Sequence, residues 1–187
     1  MKRVAFLVSG SGTNMCNLVE RIRAGKISAE PAIVVSNKPG VKALEKAAAL
    51  GVKTVVIDHK AFADRAAFDR ALDECLSAHK IDLVVLAGFM RVLTEGFVKK
   101  YEGRLINIHP ALLPKFPGAH AIKDAWDAKA KETGVTVHFV DSGVDTGPII
   151  LQRKVPVLPG DTLETLEARI HELEYELYPE ALKLVLD

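Results

Sequence analysis

The sequence predicts an α/β fold, a doubly wound and mostly parallel sheet forming a single domain over residues 1–187. Three observations carry this. Short runs rich in Val, Ile and Leu recur and are apolar on both alternating faces, as in parallel strands covered on both sides. Helix-like segments separate them, which implies βαβ units with right-handed crossovers. A glycine-rich turn follows the first run directly, as at the edge of a nucleotide-type site.

Taken in order, strands are expected at Val4–Val8, Ala32–Val35, Thr54–Ile57, Leu83–Leu86 and Leu105–Ile108. Helices are expected between them at about Asn14–Ala24, Val41–Leu50, Asp64–His79 and Thr94–Lys100. The first run has basic residues before it, as a secretion signal does, but Ser9-Gly10-Ser11-Gly12 ends it after five apolar positions, so it reads as a strand. Past residue 110 the pattern changes to a Pro-rich loop, a helix at about Ala121–Ala130, and strands at Gly134–Phe139 and Ile149–Val155 that should extend the sheet. The segment Thr162–Leu186 opens with Asp161-Thr162 as a cap and carries Leu163, Leu166, Ile170, Leu173 and Leu177 at helical spacing. Pro179 is expected to kink or split it.

Composition narrows the class of function. With 49% apolar residues over 187 positions the chain can bury a core without disulfides or metal. The net charge is +1, from 25 basic and 24 acidic residues, without a block of like charge, so nucleic acid and membrane surfaces are not indicated as partners. Cys16 and Cys75 are far apart and outside any metal-ligand spacing, which suits a reducing, cytoplasmic setting. No apolar run approaches the roughly 18 to 20 residues that span a bilayer.

The loop Ser9-Gly10-Ser11-Gly12-Thr13-Asn14 places free backbone N–H groups at a helix N-terminus, where phosphate binds. It lacks the Lys-Ser/Thr ending of a Walker A loop. A dinucleotide fingerprint would want Gly or Ala at Met15 and an acid where the second strand ends in Val35-Ser36-Asn37-Lys38. A plain βα turn is the alternative; Ser11, Thr13 and Asn14 together favour phosphate.

Asn107 and His109 stand two apart on the fifth strand, so both face the same side at its carboxyl end. A fixed amide beside an imidazole can hold a developing oxyanion, which suits acyl transfer. Asp145, in Asp141-Ser142-Gly143-Val144-Asp145-Thr146-Gly147-Pro148, lies in a turn that could fold back over the same edge and orient His109; the alternative is that Asp141 and Asp145 only serve the turn. No Gly-x-Ser-x-Gly elbow, Cys/His pair or metal-ligand spacing occurs, so direct transfer in a ternary complex is the simplest chemistry.

Four blocks then resemble the folate-dependent formyltransferases, and in particular the glycinamide ribonucleotide transformylase family. They are Ser9 to Asn14, Leu86-Ala87-Gly88-Phe89-Met90-Arg91, Asn107-Ile108-His109-Pro110-Ala111-Leu112-Leu113-Pro114, and Val137-His138-Phe139-Val140-Asp141 through Asp145-Thr146-Gly147-Pro148. The Asn-x-His-Pro block and the Asp-x-Gly-Pro turn are shared with methionyl-tRNA formyltransferase and formyltetrahydrofolate deformylase. The glycine-rich loop in a lone domain separates this branch from those two, which carry an extra C-terminal and an extra N-terminal domain respectively.

The resemblance implies a Rossmann-like formyltransferase fold with Asn107, His109 and Asp145 as the catalytic set. It implies contacts to glycinamide ribonucleotide from Ser11, Gly12, Thr13, Asn14 and Glu174. For the donor, 10-formyltetrahydrofolate, it implies contacts from Arg65, Met90, Arg91, Val92, Leu93, Asn107, Val140 and Asp141, with no metal, in a monomer or homodimer. Two departures accompany it: Lys129 stands where many members have Gly, and the chain closes at Asp187 where many run further, which is expected to alter the folate rim. The implied function is formyl transfer from the folate to the amine of 5'-phosphoribosylglycinamide in purine biosynthesis. Hydrolysis of the formyl-folate, and a non-enzymatic nucleotide- or folate-binding module, are the rival readings.

Overall fold

A computed structural model describes residues 1–187. One seven-stranded sheet runs in the order β3-β2-β1-β4-β5-β6-β7. Its strands are β1 (Arg3–Val8), β2 (Glu30–Ser36), β3 (Thr54–Val56), β4 (Leu83–Leu86), β5 (Leu105–His109), β6 (Glu132–Phe139) and β7 (Ile149–Pro156). The first five are parallel; β6 and β7 pair antiparallel, β5 with β6 and β6 with β7.

The helices are α1 (Thr13–Arg23), α2 (Lys42–Ala49), α3 (Arg65–Ala78), α4 (Glu95–Lys100), α5 (Ala121–Asp127) and α6 (Leu163–Leu186). Strand alternation sorts the core into two layers. Val4, Phe6 and Val8 meet Met15, Leu18, Ala43, Ala47, Leu166 and Ile170 from α1, α2 and α6 on one face. Ala5 and Leu7 meet Phe68, Leu72, Phe97 and Tyr101 from α3 and α4 on the other. Central strands are therefore covered on both sides, as their unbroken apolar runs require. The strand at 54–57 departs from that expectation: β3 is the sheet edge, is only partly covered, and leaves Val56 44% exposed.

Helix α6 is neither split nor ended by Pro179, contrary to expectation. A proline inside a helix leaves the carbonyl four residues back without its donor. Here that carbonyl, Tyr175 O, accepts instead from the Asn17 amide of α1 at 2.8 Å, with Arg21 at 3.5 Å. The freed acceptor has become an α1–α6 contact. One turn along, the Tyr178 hydroxyl donates to Leu86 O at 2.6 Å and to Ile106 O at 3.3 Å, which pins the helix across the carboxyl ends of β4 and β5.

Four helices close with the same two-bond motif, in which the residue after the cap is left-handed. Gly25 and Gly51 fill that position after α1 and α2 (φ 75° and 73°), but Lys80 and Lys129 fill it after α3 and α5 (φ 52° and 54°). Behind α5, Lys129 N donates to Trp126 O and Ala130 N to Ala125 O; behind α3, Lys80 and Ile81 do the same to Ser77 and Leu76. A Cβ in this region costs roughly 1 kcal/mol. Lys129→Gly and Lys80→Gly are each expected to raise stability by about 0.5–1 kcal/mol, read as a rise of roughly 1–4 °C in Tm. An unchanged or lower Tm would mean that the lysine side chains contribute more than their backbone strain costs.

Candidate functional site

The strand order reverses at β1 and β4, and the loops leaving these two neighbours diverge to open a crevice at their carboxyl ends. Ser9, Gly10, Ser11, Gly12, Thr13 and Asn14 line one wall of a cavity of about 250 Å³, and Ala87, Gly88 and Met90 line the other. Gly12 is left-handed (φ 74°) and caps α1, so the loop's amides turn into the cavity at a helix N-terminus. Asn14 brings a buried side-chain oxygen there with no partner in the chain. The four residues expected to take phosphate are thus one contiguous wall.

The opposite loop, residues 88–93, is neither helix nor strand. Met90 and Val92 are 76% and 61% exposed. Arg91 lays its guanidinium over the Phe68 ring, 4.4 Å from the centroid, while its Nε has no acceptor. Arg65 is exposed on the first turn of α3, one turn from Phe68. Main-chain N–H and C=O groups of this loop are largely free, which suits recognition of a flat heterocycle edge.

Asn107 and His109 project to one face of β5, and antiparallel pairing adds β6 residues to the same face: His138 lies opposite Asn107, and Thr136 opposite His109. The buried His109 ring donates from Nε2 to Phe116 O at 2.8 Å, because a carbonyl only accepts. Its Nδ1 faces Asp145 Oδ2 at 3.5 Å. The other carboxylate oxygen, Oδ1, lies 3.7 Å from His138 Nε2. Asp145 itself is left-handed (φ 54°) and its Oδ2 accepts from Gly118 N at 2.9 Å. Hence the Pro-rich loop holds both members of the pair, through Phe116 O and Gly118 N. Thr136 secures the start of that loop by donating to Ala111 O at 2.7 Å and accepting from Leu113 N at 3.2 Å.

The two turn carboxylates have parted company. Asp141 Oδ1 accepts from Gly143 N and the Thr146 hydroxyl, so its side chain shapes the turn. Val140 N is committed to Leu105 O and its carbonyl makes no such bond. Glu174, 7% exposed, sits one turn before Tyr178 and so faces the same carboxyl edge; its Oε2 accepts from His171 Nδ1 at 3.1 Å. That bond pushes His171 above its ordinary value.

His138 did not emerge from the sequence as a site residue. The available signal was a histidine in an otherwise apolar strand shortly before the Asp-bearing turn; the antiparallel register that sets it opposite Asn107 is a tertiary fact. Its Nδ1 donates to Phe139 O and its Nε2 is buried without a partner. Burial pushes its pKa down, opposed by the Phe139 carbonyl and Asp145. The folded state therefore resists a proton that the unfolded chain takes up near pH 6.5, so stability is lost as pH falls below that value. His171, raised, works in the opposite sense: its contribution is present below 6.5 and is lost as pH rises through its folded value. His138→Gln is expected to flatten the acid-side loss of unfolding free energy, by up to about 1.4 kcal/mol per pH unit, in denaturant titrations. An equally steep loss in the variant would place the effect elsewhere.

A phosphate-type loop, a loop with an open main chain and an Asn/His/Asp cluster at one sheet edge define an acyl-transfer class of site. The chain belongs to the formyl transferase family, whose profile matches residues 2–182. More particularly, it is 42% identical to phosphoribosylglycinamide formyltransferase of Bacillus subtilis, covering 100% of this chain and 95% of that protein. It is 50% identical over 188 aligned residues to the trifunctional purine biosynthetic protein adenosine-3 of Drosophila melanogaster, of which it spans only 14%. The crystal structure of glycinamide ribonucleotide transformylase 1 from Geobacillus kaustophilus superposes with a TM-score of 0.97 at 46% identity, with both chains fully covered. The Bacillus halodurans phosphoribosylglycinamide formyltransferase gives 0.96 at 44%, covering 100% of this chain and 96% of that one.

Proposed function

We propose that this protein transfers the formyl group of 10-formyltetrahydrofolate to the amine of 5'-phosphoribosylglycinamide. The observation that carries the reading is the Asp145–His109 contact beside Asn107, next to a cavity walled by residues 9–14. The names of the relatives support it.

In this reading Ser11, Gly12, Thr13 and Asn14 hold the phosphate, and Glu174 a polar group of the same ribonucleotide. The free main chain of Met90, Arg91, Val92 and Leu93 takes the folate heterocycle, with Arg65 at the rim and the backbone of Val140 and Asp141 closing the far side. The neutral amine attacks the formyl carbon, and the carbonyl oxygen becomes an alkoxide held by the Asn107 amide and protonated His109. Asp145 supports the imidazolium and helps carry the amine proton to the folate nitrogen as the carbon–nitrogen bond to the folate breaks. Formylated ribonucleotide and tetrahydrofolate leave. Asn107 touches both substrates at the reacting carbon. No metal enters the scheme.

Absorbance-monitored conversion of 10-formyltetrahydrofolate, with and without glycinamide ribonucleotide, tests it. Turnover that requires the ribonucleotide is expected. Equal turnover without it would make the protein a hydrolase, and binding of the ligands without turnover would make it a binding module.

A further inference from the structure

We propose that Ser9 is a positioning residue that couples the two substrate loops, so that occupancy of the phosphate wall tightens the folate loop. The inference rests on the function proposed above and extends it to a residue with no place in that scheme.

Ser9 is the first residue beyond β1, is 5% exposed, and opens the phosphate wall. Its single hydroxyl hydrogen goes to Asn37 Oδ1 at 2.6 Å. The lone pair that remains accepts from Met90 N at 2.8 Å. Donor and acceptor capacity are both spent, so the direction of this chain is fixed. Asn37, 2% exposed at the end of β2, is in turn held by His59: the His59 N–H and ring Nδ1 both reach Asn37 O, at 3.3 and 2.9 Å. Ser9 is therefore braced from the β2–β3 side and pulls on the β4 side.

What it pulls on has little else to hold it. Within residues 88–93 the Met90 amide is the one N–H with a protein acceptor. The loop's next tether is Thr94 N, which donates to the buried Asp69 carboxylate at 2.7 Å. A movement of the Ser9–Gly10 backbone when an anion enters is passed to Met90 through one short bond, into a loop free to follow. Two sites that share one tether in this way have a coupling free energy, and it acts equally in both directions.

Calorimetric binding of tetrahydrofolate, alone and with saturating glycinamide ribonucleotide, measures that coupling without turnover. Wild type is expected to bind the folate about fivefold more tightly in the presence of the ribonucleotide. In Ser9→Ala, nearly isosteric and checked by thermal melting, each ligand is expected to bind but the ratio falls to about one, and Asn37→Ala, which unbraces the hydroxyl, is expected to do the same. A ratio near one in wild type, or an undiminished ratio in both variants, overturns the coupling while leaving the proposed function in place. Loss of all binding in a folded Ser9→Ala would make Ser9 part of the site itself and also overturn it. If wild type binds neither ligand, the proposed function fails and the inference with it.

Discussion

Asp145→Asn is expected to lower kcat by roughly 10²- to 10⁴-fold while leaving the fold and the binding of both substrates nearly intact. The substitution keeps shape and one oxygen. That oxygen can still accept from Gly118 N, now at 2.9 Å from the carboxylate, so the Pro-rich loop stays docked. What is lost is the negative charge 3.5 Å from His109 Nδ1 and 3.7 Å from His138 Nε2. Both distances are longer than a good hydrogen bond, and such contacts often tighten only when substrate is in place. In the variant an uncharged amide faces both rings, and one of its N–H groups can turn towards His138, whose Nε2 otherwise has no partner. His109 then has nothing to stabilise a proton gained as the tetrahedral intermediate forms. The measurement is steady-state kinetics in both substrates with parallel binding titrations. A kcat within a few-fold of wild type would remove Asp145 from the mechanism, and a collapse of binding instead of kcat would recast it as a brace for the loop at Gly118.

The same contact shows where sequence reading stops. The doubly wound core was legible because β1, β2, β4 and β5 are buried on both faces and cannot be written in any other pattern. The edge position of β3 was not, since three apolar residues read alike in the middle of a sheet or at its rim. Pro179 misled because its effect depends on what becomes of one carbonyl, and the donor that rescues Tyr175 O is Asn17, 158 residues earlier. In the site, Asn107 and His109 were legible from a two-residue spacing on a strand. Whether Asp145 or Asp141 reached them was not, because both sit in one turn with turn-like neighbours. The left-handed backbone at Asp145 and the Asx bonds at Asp141 decide between them. His138 and Ser9 depend on strand register and on a bridge across 81 residues, neither of which leaves a local signature.

Gly12→Ala is expected to be the most damaging single-methyl change in the molecule that spares the catalytic groups, through two separable causes. Gly12 is left-handed at φ 74°, a conformation that costs an alanine about 1–2 kcal/mol. A Cβ there would also lie 2.7 Å from Ala43 Cβ and 2.8 Å from Ala43 Cα on α2, closer than carbon atoms approach. The clash cannot be relieved by a side-chain rotation, since the second of these atoms is backbone. Relief requires α2 to move, and Ala43 N is itself bonded to Gly10 O at 3.0 Å, so the whole phosphate wall would shift with it. Crowding of this kind costs a further 1–3 kcal/mol, giving about 2–5 kcal/mol of lost stability together with a raised KM for the ribonucleotide. Ala43→Gly in the same chain divides the two causes. It removes the nearer clashing atom but leaves the dihedral strain, so the double variant is expected to recover part of the stability and most of the ribonucleotide KM. If it recovers neither, the close approach of α1 and α2 is not what Gly12 exists to permit. If Gly12→Ala alone leaves the ribonucleotide KM unchanged, the wall at residues 11–14 is not where the phosphate binds.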